Sequence, residues 1–456
     1  MTLPQTVKFQ LTLAIASITL LSFHAHASEW VSFPENFHWC VATSSHQIEG
    51  YNSNSDWWDW EQQAGHIRNS EISGAATDHW NRVGEDIALM TELGVDTYRF
   101  SVEWAKIEPQ EGEYDWNAIN HYRAEVAALQ ANGIEPLITL QHFTLPRWVR
   151  QKGAWEWSGM SKAFKSFTQI VYTQIAPHVR DWVTINEPMV MIFGGYLKGI
   201  MPPGEKRSLS GLIPVMRGIL RAHTEAYHEL HKLAGAYGRH IRVGIAHHLR
   251  TMDPANAYNP LDVIAASLAE PAWNWALSDA ATTGRFKFQV LWMANADEEI
   301  PGLAGTQDFI GVNYYSGDLV HFTYDNPMQM ETRPALTKND LGWDIYPEGF
   351  YRVLRSVSAH FPGLPVIITE NGIADSQDAL RPAFIKSHLF QLARAIADGV
   401  PVEAYCHWSL LDNFEWAEGF APRFGLYATD YRSFARTPRG SARLFQQITQ
   451  ANGFYR

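Results

Sequence analysis

The 456-residue sequence predicts an α/β protein built as a single (β/α)8 TIM barrel with extended βα loops. Two observations carry that expectation. Eight short apolar runs recur along the chain, each followed by a longer stretch with helical periodicity, as in a parallel sheet covered by helices. Chemically capable side chains also gather where the runs end, and the C-terminal ends of barrel strands form the functional face.

The runs are Phe37–Thr43, Thr97–Val102, Pro136–His142, Trp182–Asn186, Arg242–His247, Phe309–Tyr315, Val366–Glu370 and Val402–Trp408. They read as continuous buried strands rather than half-exposed alternating ones. Between the second and third runs, Ile119, Tyr122, Val126 and Leu129 repeat at helical spacing. Asp115 can cap the start of that helix, and Asn132-Gly133 can end it. Gly84 to Gly94 repeats the theme with Ile87, Met90 and Leu93. A doubly wound open sheet is the alternative, but eight even repeats favour closure.

The N-terminus reads differently. Lys8 precedes an apolar stretch, Phe9 to Leu21, and Ala25-His26-Ala27 forms a cleavage pattern. Residues 1–27 are therefore expected to be a signal peptide. Residues 28–456 would be the exported chain, periplasmic or secreted, without a membrane span. With 36 Lys and Arg against 48 Asp and Glu, the net charge is −12; a nucleic-acid backbone is a poor partner for such a surface. Both cysteines, Cys40 and Cys406, lie in apolar strand-like runs. An oxidising compartment permits a disulfide, yet buried free thiols are the commoner state for such positions, so unpaired thiols are expected.

Polar groups close six of the runs: Gln47 just past the first, His142, Asn186-Glu187, Tyr315, Glu370 and Trp408. Two glutamates among them make chemical sense together. Glycoside cleavage takes one acid to protonate the leaving oxygen and one carboxylate at the anomeric carbon. Strands four and seven face each other across a closed barrel, so Glu187 and Glu370 can converge. Each glutamate alone is more readily explained as a cap or surface group.

Longer motifs sharpen this. Phe37-His38-Trp39-Cys40-Val41-Ala42-Thr43-Ser44-Ser45-His46-Gln47-Ile48-Glu49-Gly50, Thr184-Ile185-Asn186-Glu187-Pro188 and Ile367-Ile368-Thr369-Glu370-Asn371-Gly372 occur in order. Trp408 to Phe420 and Arg423-Phe424-Gly425-Leu426 follow, with Tyr98–Ser101 and Gly311–Tyr315 between them. The chain thus resembles family 1 glycoside hydrolases, the β-glucosidase family, over nearly all of residues 30–450. The resemblance implies retention of configuration, with Glu370 as nucleophile and Glu187 as acid/base. It implies that Arg99 and Tyr315 support Glu370. Gln47, His142, Asn186, Tyr315, Trp408, Glu415 and Trp416 would bind the sugar, Asn186 at its 2-hydroxyl. Glu415 as a carboxylate would repel a 6-phosphate, so an unphosphorylated glucoside is expected, with galactoside or fucoside also accepted.

No metal or cofactor is expected, and the partner is a β-glucoside or small oligosaccharide. The resemblance thins over Leu249–Phe288 and Gly194–Gly204, which should rim the aglycone side. A transglycosidase and a non-catalytic sugar-binding homologue are the other readings. The presence of both carboxylates argues against the second.

Overall fold

A computed structural model describes residues 29–325, 328–334 and 337–456. The expected signal peptide lies outside the described residues. Eight parallel strands close into one barrel: β1 (His38–Ala42), β2 (Thr97–Ser101), β3 (Glu135–Gln141), β4 (Asp181–Asn186), β5 (Arg242–His248), β6 (Phe309–Tyr314), β7 (Val366–Asn371) and β8 (Val402–Trp408). Each apolar run became one of them, and β5–β6 and β8–β1 pairing completes the ring. The open-sheet alternative is thereby excluded.

The principal helices alternate with the strands: α1 (His79–Leu93), α2 (Trp116–Ala131), α3 (Met160–Ile170), α4 (Ile213–Ala236), α5 (Ala276–Thr283), α6 (Pro347–His360), α7 (Arg381–Ala397) and α8 (Gly440–Ala451). The Asp115 side chain accepts from the backbone N–H groups of Asn117 and Ala118, giving α2 its cap. Ile87, Met90 and Leu93 are buried on α1, which ends at Gly94 with φ 70°, a conformation glycine adopts without steric cost. Insertions extend the loops. A hairpin pairs Arg285–Val290 with Ala294–Glu299, and a three-stranded sheet joins Met252–Pro254, Asp318–His321 and Gln329–Thr332. Among the described residues no helix is long and apolar enough to cross a membrane.

The barrel interior is filled by Cys40, Leu137, Val183, Phe309, Ile367, Ala404 and Cys406, which makes it a packed plug below the mouth. Here the cysteine expectation is corrected. Cys40 and Cys406 are register partners on β1 and β8, with Cα atoms 4.1 Å apart, and they form a disulfide. Chain closure brings together residues 366 positions apart.

One buried ionic knot ties this shell together. His79 on α1 contacts Asp86 at 2.7 Å and Glu125 of α2 at 3.1 Å, while Arg436 pairs with Asp86 at 2.8 Å. Burial opposes charge on His79, but the two carboxylate hydrogen bonds outweigh it and push its pKa to about 10. A folded-state pKa above the unfolded value contributes stability that is complete below about pH 6.5 and lost as pH rises toward 10. Thermal melts should therefore show the midpoint falling by several degrees across that window. His79→Gln should be less stable at pH 6 and much flatter in its dependence.

Candidate active site

Local backbone irregularities aim the two glutamates. β7 carries an extra residue against β6, with Val312 paired to Ile368 but Asn313 to Glu370. Strict alternation from the interior residue Ile367 would turn Thr369 inward and Glu370 outward. The bulge lets both serve the mouth. β4 likewise gains a residue against β5, between Val183 and Asn186. Glu187 follows at φ +43°, a conformation costly for a non-glycine residue. Its backbone N–H donates to Ala246 O at 2.8 Å, and Pro188 opens the short helix Pro188–Ile192, a first-turn position that suits proline.

The Arg99 guanidinium, fully buried on β2, organises the centre. It donates to Glu370 Oε1 at 2.5 Å, to the Thr369 carbonyl at 2.9 Å, to Asn186 Oδ1 at 2.6 Å and to Thr139 at 3.3 Å. The Tyr315 hydroxyl donates to the other Glu370 oxygen at 2.6 Å. Both Glu370 oxygens thus accept, one of them from a cation.

Because guanidinium only donates, Asn186 must present its oxygen to Arg99. Its amide nitrogen then donates to His142 Nε2 at 3.0 Å. The proton of the His142 ring is consequently on Nδ1, which is buried with no protein partner among the described residues. Burial, aided by Arg99, holds His142 well below the usual histidine range, so the ring is neutral. It is a neutral ring with an Nδ1–H that no described protein group accepts.

Asn313, absent from the expected site residues, donates to Glu187 Oε1 at 2.9 Å and to Asn186 Oδ1 at 3.1 Å, and accepts from Thr369 at 2.6 Å. It ties the strand bearing one glutamate to the strand bearing the other. Its signal in the sequence is its place inside the Gly311–Tyr315 motif, two residues before Tyr315. Glu187 is raised to about 8, first by burial and then by the charge of Glu370; Asn313 and Arg99 oppose the rise.

A second cluster adjoins. Gln47 Nε2 donates to Asn413 Oδ1 at 2.9 Å, to the Phe414 carbonyl at 3.0 Å and to Glu415 Oε2 at 3.2 Å. Glu415 also accepts from Trp408, yet burial and the Glu370 charge push it to about 8. Burial beside Glu370 thus favours the acid form of Glu415, where residue type alone reads a charge. The His142 ring lies between the rings of Trp408, 5.9 Å away, and Trp416, 6.0 Å away. All ten expected site residues are therefore joined through contacts at one barrel mouth.

Beside this pocket, the loops after β4, β5 and β6 enclose a cavity of about 530 Å3 lined largely by apolar side chains, including Phe193, Leu209, Trp273 and Met330. Trp273 donates to the His248 carbonyl, and the His248 ring lies 5.9 Å from that of Tyr315.

The profile of glycosyl hydrolase family 1 matches residues 30–454. The chain belongs to glycosyl hydrolase family 1. Beta-glucosidase A of Thermotoga maritima is 32% identical over 444 residues, covering 92% of this chain and 98% of that protein. The solved structure of beta-glucosidase from Thermotoga maritima in complex with glucoimidazole aligns at a TM-score of 0.87 with 32% identity, over 93% of this chain and 100% of that one. A beta-glycosidase from Pyrococcus horikoshii aligns at 0.84 with 36% identity, over 94% and 97%. As a family 1 glycosyl hydrolase with β-glucosidase relatives, the protein sets its two glutamates in a network in which one makes only acceptor contacts and the other is held toward its acid form.

Proposed function

We propose that the protein is a retaining β-glycosidase that removes terminal, non-reducing β-D-glucosyl residues by double displacement, with galactosyl and fucosyl residues as secondary substrates. The supporting observation is the asymmetry of the two carboxyls. Glu370 accepts from Arg99 and Tyr315 and is free to attack, whereas Glu187, raised to about 8, carries a proton to give.

Glu370 attacks the anomeric carbon as Glu187 protonates the departing oxygen. Glu187, now a carboxylate, then takes a proton from the water that releases the sugar. The Asn186 amide hydrogen not used by His142 is available to the 2-hydroxyl. His142 Nδ1–H, Gln47, Glu415 and Trp416 offer donors and acceptors to the other hydroxyls. Trp408 gives the ring an apolar face. The apolar cavity lined by Phe193 and Trp273 supports a role for the β4–β6 loops in holding the aglycone. The Cys40–Cys406 disulfide supports export to an oxidising compartment.

The acid must be protonated, so kcat/KM should hold on the neutral side and fall about tenfold per pH unit above about 8. Glu415 rises to about the same value, so the limb belongs to the coupled set rather than to one residue. Asn313 lowers the Glu187 pKa, so Asn313→Ala should move the limb to higher pH. Kinetics on p-nitrophenyl β-glycosides, changing one sugar at a time, test the substrate reading. Best turnover on a β-glucoside is expected, and best turnover on an α-glycoside or a 6-phosphoglycoside would overturn it.

A further inference from the structure

Behind the sugar pocket four rings stand in a nearly parallel column: His46, Trp416, His142 and Trp408. Successive centroids are 5.6, 6.0 and 5.9 Å apart, with interplanar angles of 6°, 17° and 25°. The last three belong to the pocket already described; His46 does not. It sits at the closed end, fully buried, on the short helix Ser45–Ile48 that also carries Gln47.

Polar contacts fix the His46 ring. The Asn52 side-chain amide nitrogen lies 3.1 Å from Nδ1 and donates to it, so the ring proton is on Nε2. That nitrogen lies 3.4 Å from Glu61 Oε2, a close approach without hydrogen-bond geometry, and neither side chain is exposed. The other Glu61 oxygen accepts from Ser73 at 2.7 Å. Glu61 ends the helix Asp56–Glu61, whose Trp57 packs against Trp416 with centroids 4.6 Å apart. Trp416 therefore lies nearly parallel to two imidazoles, those of His46 and His142.

We propose that His46, held by Asn52 and facing Glu61, is a positioning residue that sets the placement of Trp416 and, through it, His142, and so decides which sugar epimer the pocket prefers. This rests on the β-glycosidase reading. Epimers differ in the direction of one hydroxyl, and hydrogen bonds weaken steeply as geometry departs from the optimum. A small displacement of the column therefore alters the choice between sugars. The proton transfers made by Glu187 to the leaving oxygen and from water lie outside the column and keep their pH dependence.

The test compares p-nitrophenyl β-D-glucoside with the galactoside in Glu61→Gln and His46→Phe. The first replaces the carboxylate facing His46 with an amide; the second keeps an aromatic ring but removes both ring nitrogens. Both should move the ratio of the two kcat/KM values about fivefold or more, with the alkaline limb unchanged. Ser73→Ala, a milder change that removes only the second partner of Glu61, should move the ratio in the same direction and carries the comparison if the others fail to fold. Equal loss on both sugars, or an unchanged ratio, overturns the proposal. If the wild-type protein cleaves neither glycoside, the glycosidase reading fails on its own. The column is then judged by calorimetric affinities for deoxynojirimycin and its galacto epimer, whose ratio should shift in the same variants.

Discussion

Glu370→Gln should reduce kcat on p-nitrophenyl β-D-glucoside by roughly five orders of magnitude, the scale seen when a covalent nucleophile is removed. The amide is nearly isosteric but cannot attack the anomeric carbon. It also places a donor where Arg99 or Tyr315 now donates, although the tyrosine hydroxyl can rotate to accept. Folding should be preserved, so the melting curve should stay close to that of the parent while stopped assays show almost no nitrophenol. Removal of the Glu370 charge should also lower the pKa of Glu187, because that charge is the second cause of its rise after burial. Appreciable residual turnover in this variant would mean that the attacking group has been misassigned.

Glu187→Ala should divide substrates by their leaving groups. Poor leaving groups, such as the sugar of cellobiose, depend on protonation in the first step and should lose about 10²- to 10⁴-fold. Nitrophenolate leaves without help, so the first step survives and the second stalls for want of a base. Azide needs no base. Added azide should restore turnover of p-nitrophenyl β-D-glucoside and give a β-glucosyl azide, identifiable by NMR. The alkaline limb of the pH profile should be reduced to whatever Glu415 contributes. No azide rescue, with equal losses on both classes of aglycone, would assign the proton transfer to another group.

The architecture was legible because closed parallel strands must be apolar on both faces. Each of the eight runs became a barrel strand within a residue or two at either end. The helix expected between the Asp115 cap and Asn132-Gly133 is Trp116–Ala131, and that over Gly84–Gly94 extends back to His79. The two glutamates were legible as strand-end groups. Their aim was not, since it depends on extra residues in β4 and β7 relative to their neighbours, and register belongs to strand pairs rather than to single runs. Asn313 was missed for the same reason: its three contacts reach residues on β4 and β7 and Glu187 beyond β4, none near it in sequence. The disulfide was misread because hydropathy reports burial and not which strand lies alongside; the closing β8–β1 seam makes Cys406 and Cys40 neighbours. Glu415 reads as a charge by residue type, and only its burial beside Glu370 favours the acid form.

One sugar carbon is attacked twice, by Glu370 from the face opposite the leaving group and then by water from the face opposite Glu370, giving two inversions. Proton NMR of the reaction with p-nitrophenyl β-D-glucoside, followed from the first minutes before the free sugar equilibrates, reads this directly. The β-anomer of glucose should appear first, with α-glucose growing in later by mutarotation. First appearance of the α-anomer would show a single displacement by water and contradict the account.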